Sequence, residues 1–159
     1  MSITNVPDTS DELLTTPFTR FQNKDRTGTY LFAGPQETQS ILQNFPNFRL
    51  EGTAFKAAVQ PNDDLIRFNR FQNTSVPGTY FFAGETESQS IRQNFPNFKE
   101  EGIAFYAYDG NASKGVDFYR FQNTEQPGTY LFVGQQERDS ILANFPQFRL
   151  EGVAFEAAV

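Results

Sequence analysis

Cysteine and histidine are both absent from the 159 residues of this chain. Without cysteine there can be no disulfide, no thiolate nucleophile and no cysteine-ligated zinc. Without histidine the chain loses the usual general base near neutral pH, the Ser-His-Asp triad and the commonest metal ligand in one step. Tryptophan is missing too, so any stacking on a sugar ring would fall to tyrosine. Basic residues are in the minority, 13 against 19 acidic, for a formal charge of -6. With no basic run, the chain lacks the electrostatic footprint of a nucleic-acid or anionic-membrane binder. No apolar stretch reaches membrane-spanning length, and the start, MSITNVPDTSDELL, has no basic segment followed by a hydrophobic one. The expectation is a soluble chain, compatible with the mature form of a secreted protein. No cofactor, no metal site and no catalytic residue are expected, and the chain reads as a non-enzyme.

What the chain has in abundance is phenylalanine and repetition. The stretch from Phe18 to Ala58 returns from Phe68 and again from Phe118, a period of fifty residues without drift. One domain, 1–159, therefore divides into repeats 18–67, 68–117 and 118–159, preceded by a leader, 1–17. The leader resembles a linker, since Asp11-Glu12-Leu13-Leu14 echoes Asp63-Asp64-Leu65-Ile66, and its expected role is to close a ring by joining the two ends. Of 19 phenylalanines, 18 fill six fixed positions, Phe18, Phe21, Phe32, Phe45, Phe48 and Phe55 with their equivalents. Such a set in register is what one core built from three equivalent wedges needs.

Within a repeat, Phe18 to Asn23 reads as a strand, Thr27-Gly28 as a turn (in the later copies Pro77-Gly78 and Pro127-Gly128, which suit type II), and Gly28 to Gly34 as the returning strand. Pro35 then opens a helix of about ten residues with Glu37 in its first turn, Ile41 and Phe45 on one face, and a stop at Asn44-Phe45-Pro46. Phe48 to Ala58 reads as a third strand with a bulge or close approach at Gly52. Leu65-Ile66 and Val116 suggest a short fourth strand per repeat. The fold class expected is mainly β with one short helix per repeat, arranged as a pseudo-threefold closed ring like a three-bladed propeller; the alternative is a β-trefoil-like arrangement.

The pattern F-x-R-F-x-N, G-T-x-x-F, E-x-x-S-I-x-x-N-F-P and F-x-x-E-G-x-A-F resembles a family of tandem bacterial repeats of unassigned function. Members are often appended to secreted hydrolases or surface proteins, also in cyanobacteria. The resemblance covers almost everything from Phe18 onward and departs at Gly28-Thr29-Tyr30-Leu31-Phe32, where related repeats more often carry His-Phe-Tyr-Thr. It implies an extracellular or cell-surface accessory module, and it implies no catalytic residues.

Of the 41 aligned positions, 22 are identical in all three copies, and half of these are aromatic, glycine or proline. The polar remainder holds the candidate site. Arg20 and Glu51 stand in phenylalanine-rich strands, where a charge must be paired; one reading is an ion pair within or between repeats. The other is a polar notch in each repeat formed by Arg20, Asn23, Tyr30 and Glu51, with Arg70, Asn73, Tyr80 and Glu101, and Arg120, Asn123, Tyr130 and Glu151. A guanidinium fork, an amide and an aromatic face suit sugar hydroxyls or a carboxylate. Asp109-Gly110-Asn111-Ala112-Ser113 fails as a calcium loop, having Lys114 and Arg120 where glycine and a carboxylate belong. The functional expectation is a non-catalytic, lectin-like binding module with three equivalent weak sites for carbohydrate, monomeric, with a carbohydrate or surface protein as partner and no nucleic acid or membrane. The alternative is a structural or protein-interaction repeat with no small-molecule ligand. The repeats differ at Thr19, Asn69 and Tyr119 and at Lys56, Tyr106 and Glu156, so where those positions fall separates the two.

Overall fold

A computed structural model describes residues 12–159; the closing role expected of the leader lies, for 1–11, outside the described residues. Each repeat folds into strand, strand, helix, strand: β1 (Thr16–Asn23), β2 (Tyr30–Ala33), α1 (Pro35–Asn44) and β3 (Phe48–Ala57) in the first. The second holds β4 (Ile66–Asn73), β5 (Tyr80–Gly84), α2 (Glu85–Asn94) and β6 (Phe98–Ala107). The third holds β7 (Val116–Asn123), β8 (Tyr130–Val133), α3 (Gln135–Asn144) and β9 (Phe148–Ala157). Every sheet is three-stranded and antiparallel with the repeat's first strand in the middle, in the orders β2-β1-β3, β5-β4-β6 and β8-β7-β9. The domain is mainly β with a pseudo-threefold arrangement. The residues expected to add a fourth strand do not form one: Ile66 and Val116 open β4 and β7, and no sheet among the described residues closes on itself.

The local signals behave as their chemistry requires. The hairpin turn is closed by the Thr29 N–H on the Arg26 carbonyl at 3.1 Å, and Gly28 takes φ +86°, the positive value a type II turn demands at its second central residue. A Cβ at Gly78 would sit 2.8 Å from Nδ2 of Asn23 in the neighbouring repeat, so glycine is needed there for space as well as for conformation. On the other side of β1, register shifts fall between Phe18 and Thr19 and between Arg20 and Phe21, where Gly52 sits at φ +110°. These bulges insert extra residues into β3, and one of them is Glu51, lying between the partners of Arg20 and Phe21. A bulge re-aims a side chain, and here it puts Glu51 on the same face as Arg20.

The core is phenylalanine arranged about the pseudo-threefold axis. Phe55, Phe105 and Phe155, all fully buried, meet one another with ring centroids 5.1 to 5.3 Å apart and ring planes steeply inclined. A second trio, Phe32, Phe82 and Phe132, packs beside it at 5.3 to 5.9 Å. Phe18, Phe68 and Phe118 each touch the trio member of another repeat. Not all six positions join in. Phe45, Phe95 and Phe145 are 50%, 50% and 46% exposed, because the residue that ends each helix has left helical geometry, φ -129° at Phe45, and no longer shares the face of buried Ile41.

The third strands meet at their ends in cyclic order. Ala58 pairs with Tyr106, Tyr108 with Glu156, and Ala158 with Lys56, each pair exchanging two backbone hydrogen bonds of 2.8 to 3.0 Å. Leu14 of the leader and Leu65 are buried against Ala58, Tyr108 and Ala158 at this junction. Glu156 is also buried there, and its carboxylate accepts the N–H groups of Ser113, Lys114 and Gly115 at 2.7 to 2.8 Å. Burial raises its pKa, but those backbone donors more than offset this and hold it below the ordinary carboxylate value. A lowered folded-state pKa contributes stability above the unfolded value, about 4.3 for Glu, and loses it as the pH falls through the folded value. Glu156→Gln is therefore expected to cost about 1–2 kcal/mol at pH 7, with the gap to the parent protein narrowing as the pH drops below 4; urea unfolding at both pH values measures it.

Candidate functional site

Arg20 leaves the middle strand between two carboxylates. Its Nε donates to Glu51 Oε1 at 2.8 Å within its own repeat, while Nη1 and Nη2 donate to Glu137 Oε1 and Oε2 at 2.9 and 3.0 Å. Glu137 stands in the first turn of α3, in the third repeat. The same clamp recurs twice. Arg70 binds Glu101 at 2.9 Å and Glu37 of α1 through a fork of 2.7 and 2.9 Å; Arg120 binds Glu151 at 2.8 Å and Glu87 of α2 at 2.9 Å. Each clamp thus sets two carboxylates about one guanidinium; at the Arg20 and Arg120 boundaries Arg49 and Arg149 add a second cation to Glu51 and Glu151, at 3.3 and 3.4 Å, so only the Arg70 clamp keeps a net charge of -1. Side chains of the three arginines are only 20 to 21% exposed.

Of the ion pair's two expected forms, within a repeat or between repeats, the structure shows both at once, to Glu51 and to Glu137. Glu37, expected to serve its own helix, sits in the first turn as foreseen, but its carboxylate is spent on Arg70 of the next repeat. The signal was present in the sequence. A capping box needs a serine or threonine at the N-cap, and Gly34, which caps the helix without a side-chain hydrogen bond, cannot supply it.

The remaining candidates divide. Tyr30 and Tyr80 lie under the Arg20 and Arg70 guanidinium groups at 5.4 and 5.0 Å, and Arg120 lies over both Tyr130 and Phe81, at 5.5 and 4.7 Å. Burial followed by the charge of Glu51 pushes the Tyr30 hydroxyl up despite Arg20. Burial pulls the Arg20 guanidinium down, and the hydrogen bonds and charges of Glu137 and Glu51 outweigh it, so that it stays protonated throughout. Gln22, passed over as a candidate, ties the cluster to the turn: Nε2 donates to Glu51 Oε2 at 2.8 Å while Oε1 accepts the Gly28 N–H at 3.1 Å. Asn23, Asn73 and Asn123 are not part of the cluster. They point to the opposite face of their strands, 2 to 4% exposed, where Asn123 and Asn73 donate to the Gly28 and Gly128 carbonyls of neighbouring repeats at 3.2 Å. Among the described residues every buried side-chain nitrogen and oxygen has a partner, and no group of three or more acidic side chains is placed to hold a metal ion.

A cleft opens beside each clamp, walled by the end of the second strand and the helix start of one repeat and by the bulged third strand of the next. The cleft of Glu37, Arg70 and Glu101 measures about 530 Å3; those of Arg20 with Glu137 and of Arg120 with Glu87 measure about 130 and 150 Å3. Of the differing positions Thr19, Asn69, Tyr119, Lys56, Tyr106 and Glu156, none lines these clefts. Asn69 is buried, donating to Ser88 Oγ at 3.0 Å, and Tyr119 lies under Arg138 at 4.4 Å, so both pack against their own helices.

Fold and clamps together define a tandem-repeat domain of three β units fastened by ion pairs across the boundaries. By sequence, residues 10–158 match the family described as a domain of unknown function, DUF5648, and the chain belongs to that family. No curated protein and no solved structure matches it. Exposed ion pairs contribute up to about 1 kcal/mol and breaking buried ones costs about 3–5 kcal/mol. Arg70→Ala, which strands two carboxylates at a one-fifth exposed site, is thus expected to cost about 2 kcal/mol, with Arg70→Lys recovering only part because it lacks the fork. A urea midpoint unchanged by Arg70→Ala would show the clamp to be ornamental.

Proposed function

We propose that the domain is a non-catalytic binding module, with carbohydrate as its ligand class, acting outside the cell or at its surface. The observation that carries this reading is the cleft at each repeat boundary, best developed at Arg70, where the clamp has a net charge of -1 and carboxylate lone pairs stay open to hydroxyl donors beside an apolar wall. Glu37 and Glu101 each accept only one hydrogen bond per oxygen from the protein, so each can accept more from a ligand. The arginines are occupied, which disfavours a carboxylate ligand and leaves hydroxyl groups as the better match. A monomeric three-bladed propeller-like ring would present three clefts built on the same clamp around the rim, and several weak contacts with a repeating polysaccharide raise avidity without new chemistry. The extracellular placement rests on the resemblance of the repeat motifs to modules of secreted and surface proteins.

One observation favours a second reading, a structural or protein-interaction module. Leu42, Phe45 and Leu50 in the first repeat and Leu142, Phe145 and Leu150 in the third are 37 to 56% exposed. In the second repeat two of these positions hold Arg92 and Glu100, joined by two bonds of 2.7 Å. Scattered exposed apolar residues need no explanation, but repeated sets suit contact with another protein. A neutral-oligosaccharide array decides between them: binding to one or more glycans supports the first reading, and none at millimolar concentration leaves the second.

A further inference from the structure

The three clefts share the arginine–glutamate clamp but not their room, and at two of them Arg49 and Arg149 add a further cation. Small-molecule sites typically enclose about 300–1,000 Å3; the cleft between the first and second repeats, at about 530 Å3, falls inside that range and the other two, at about 130 and 150 Å3, fall below it. Side chains that vary between repeats account for part of the difference. In the large cleft Ile103 and Val59, 54% and 53% exposed, form an apolar wall facing the Glu37–Arg70–Glu101 clamp. At the next boundary the equivalent of Ile103 is Val153, and the linker after β6 folds down upon it. A Cβ on Gly110 would lie 3.0 Å from Val153 Cγ1 and 3.3 Å from its carbonyl oxygen. At the third boundary Thr53 takes the place of the isoleucine, so the wall loses apolar surface as well as depth.

We infer that, of the three boundary clefts, the one between the first and second repeats is the small-molecule site, selective for an uncharged polyhydroxylated ligand with one apolar face and closed to anions. This rests on the carbohydrate reading above and narrows it from three sites to one. The apolar face of a pyranose packs on Ile103 and Val59, while its hydroxyls donate to Glu37 and Glu101, which line the same space and keep acceptor capacity. An acidic sugar would set its carboxylate against two carboxylates whose only cation is already shared between them, and like charges so placed repel. The other two clefts keep the clamp as a fastening only.

The test titrates the intact chain with cellotriose, mannotriose and triacetylchitotriose, and with trigalacturonate as the acidic counterpart, following backbone amide shifts by NMR and stoichiometry by calorimetry. The expected result is binding of at least one neutral trisaccharide at one site per chain, with shifts centred on Gln36, Val59 and Ile103, and no binding of trigalacturonate. Ala104→Leu, which narrows the large cleft, weakens that binding about tenfold, whereas Ala54→Leu and Ala154→Leu at the equivalent positions leave it unchanged. Stoichiometry of three, equal shifts at Thr53 and Val153, or equal binding of the acidic sugar would overturn this inference while sparing the carbohydrate reading. Absence of binding by every sugar in the set overturns both.

Discussion

No repeat of this chain can bury its innermost phenylalanine alone. Phe55, Phe105 and Phe155 are removed from water only because each has the other two to lie against, and an aromatic side chain hides roughly 150–250 Å2 when it does so. The threefold contact is consequently a condition of stability for the parts, and it is satisfied only when all three are present. Much else follows from it. The third strands must converge, which brings Ala58, Tyr108 and Ala158 close enough to exchange backbone hydrogen bonds with the next strand in turn. The first strands stand further out, and their outward side chains, Arg20, Arg70 and Arg120, land at the boundaries where the helix starts supply an acid.

The clamp answers a problem which that packing creates. An arginine amid aromatic strands loses hydration, and removing water from a charge is expensive unless partners replace it. The bulge at Gly52 provides the first partner by turning Glu51 onto the arginine face, and the neighbouring helix provides the second. Gln22 then joins the carboxylate to the hairpin turn, so that a turn, a bulge and a helix start in two repeats are held through a single guanidinium. The stacked tyrosine adds cation–π attraction and screens one face of the ion from solvent.

Much of this was readable from the residues. Proline at 35, the Asn44-Phe45-Pro46 stop, the Thr-Gly turn and Gly52 mark the element limits closely, because each acts through local backbone geometry. The partnership of Arg20 with Glu51 was legible as a need for neutralisation, though not whether within a repeat or between two. Its second partner was hidden by the repetition: three identical arginines and three identical helix acids do not reveal which copy serves which. Phe45 was misplaced for a different reason, since helical periodicity assigns a face only while the helix lasts. The inequality of the clefts lay in the least repetitive residues, Ile103, Val153 and the linker at Gly110, whose effect depends on three-dimensional proximity that spacing does not express.

Every boundary joins two unlike surfaces, the strand-borne arginine of one repeat and the helix-borne glutamate of the one before, always in the same rotational sense. Such head-to-tail contact is the geometry of a cyclic oligomer of identical subunits. The domain is in this sense a homotrimer written on one chain, with covalent linkers replacing the concentration dependence that assembly of separate subunits would impose. Fusion also released the copies from identity. A free trimer must use one sequence at every boundary, whereas here one boundary can specialise while the other two preserve the fold.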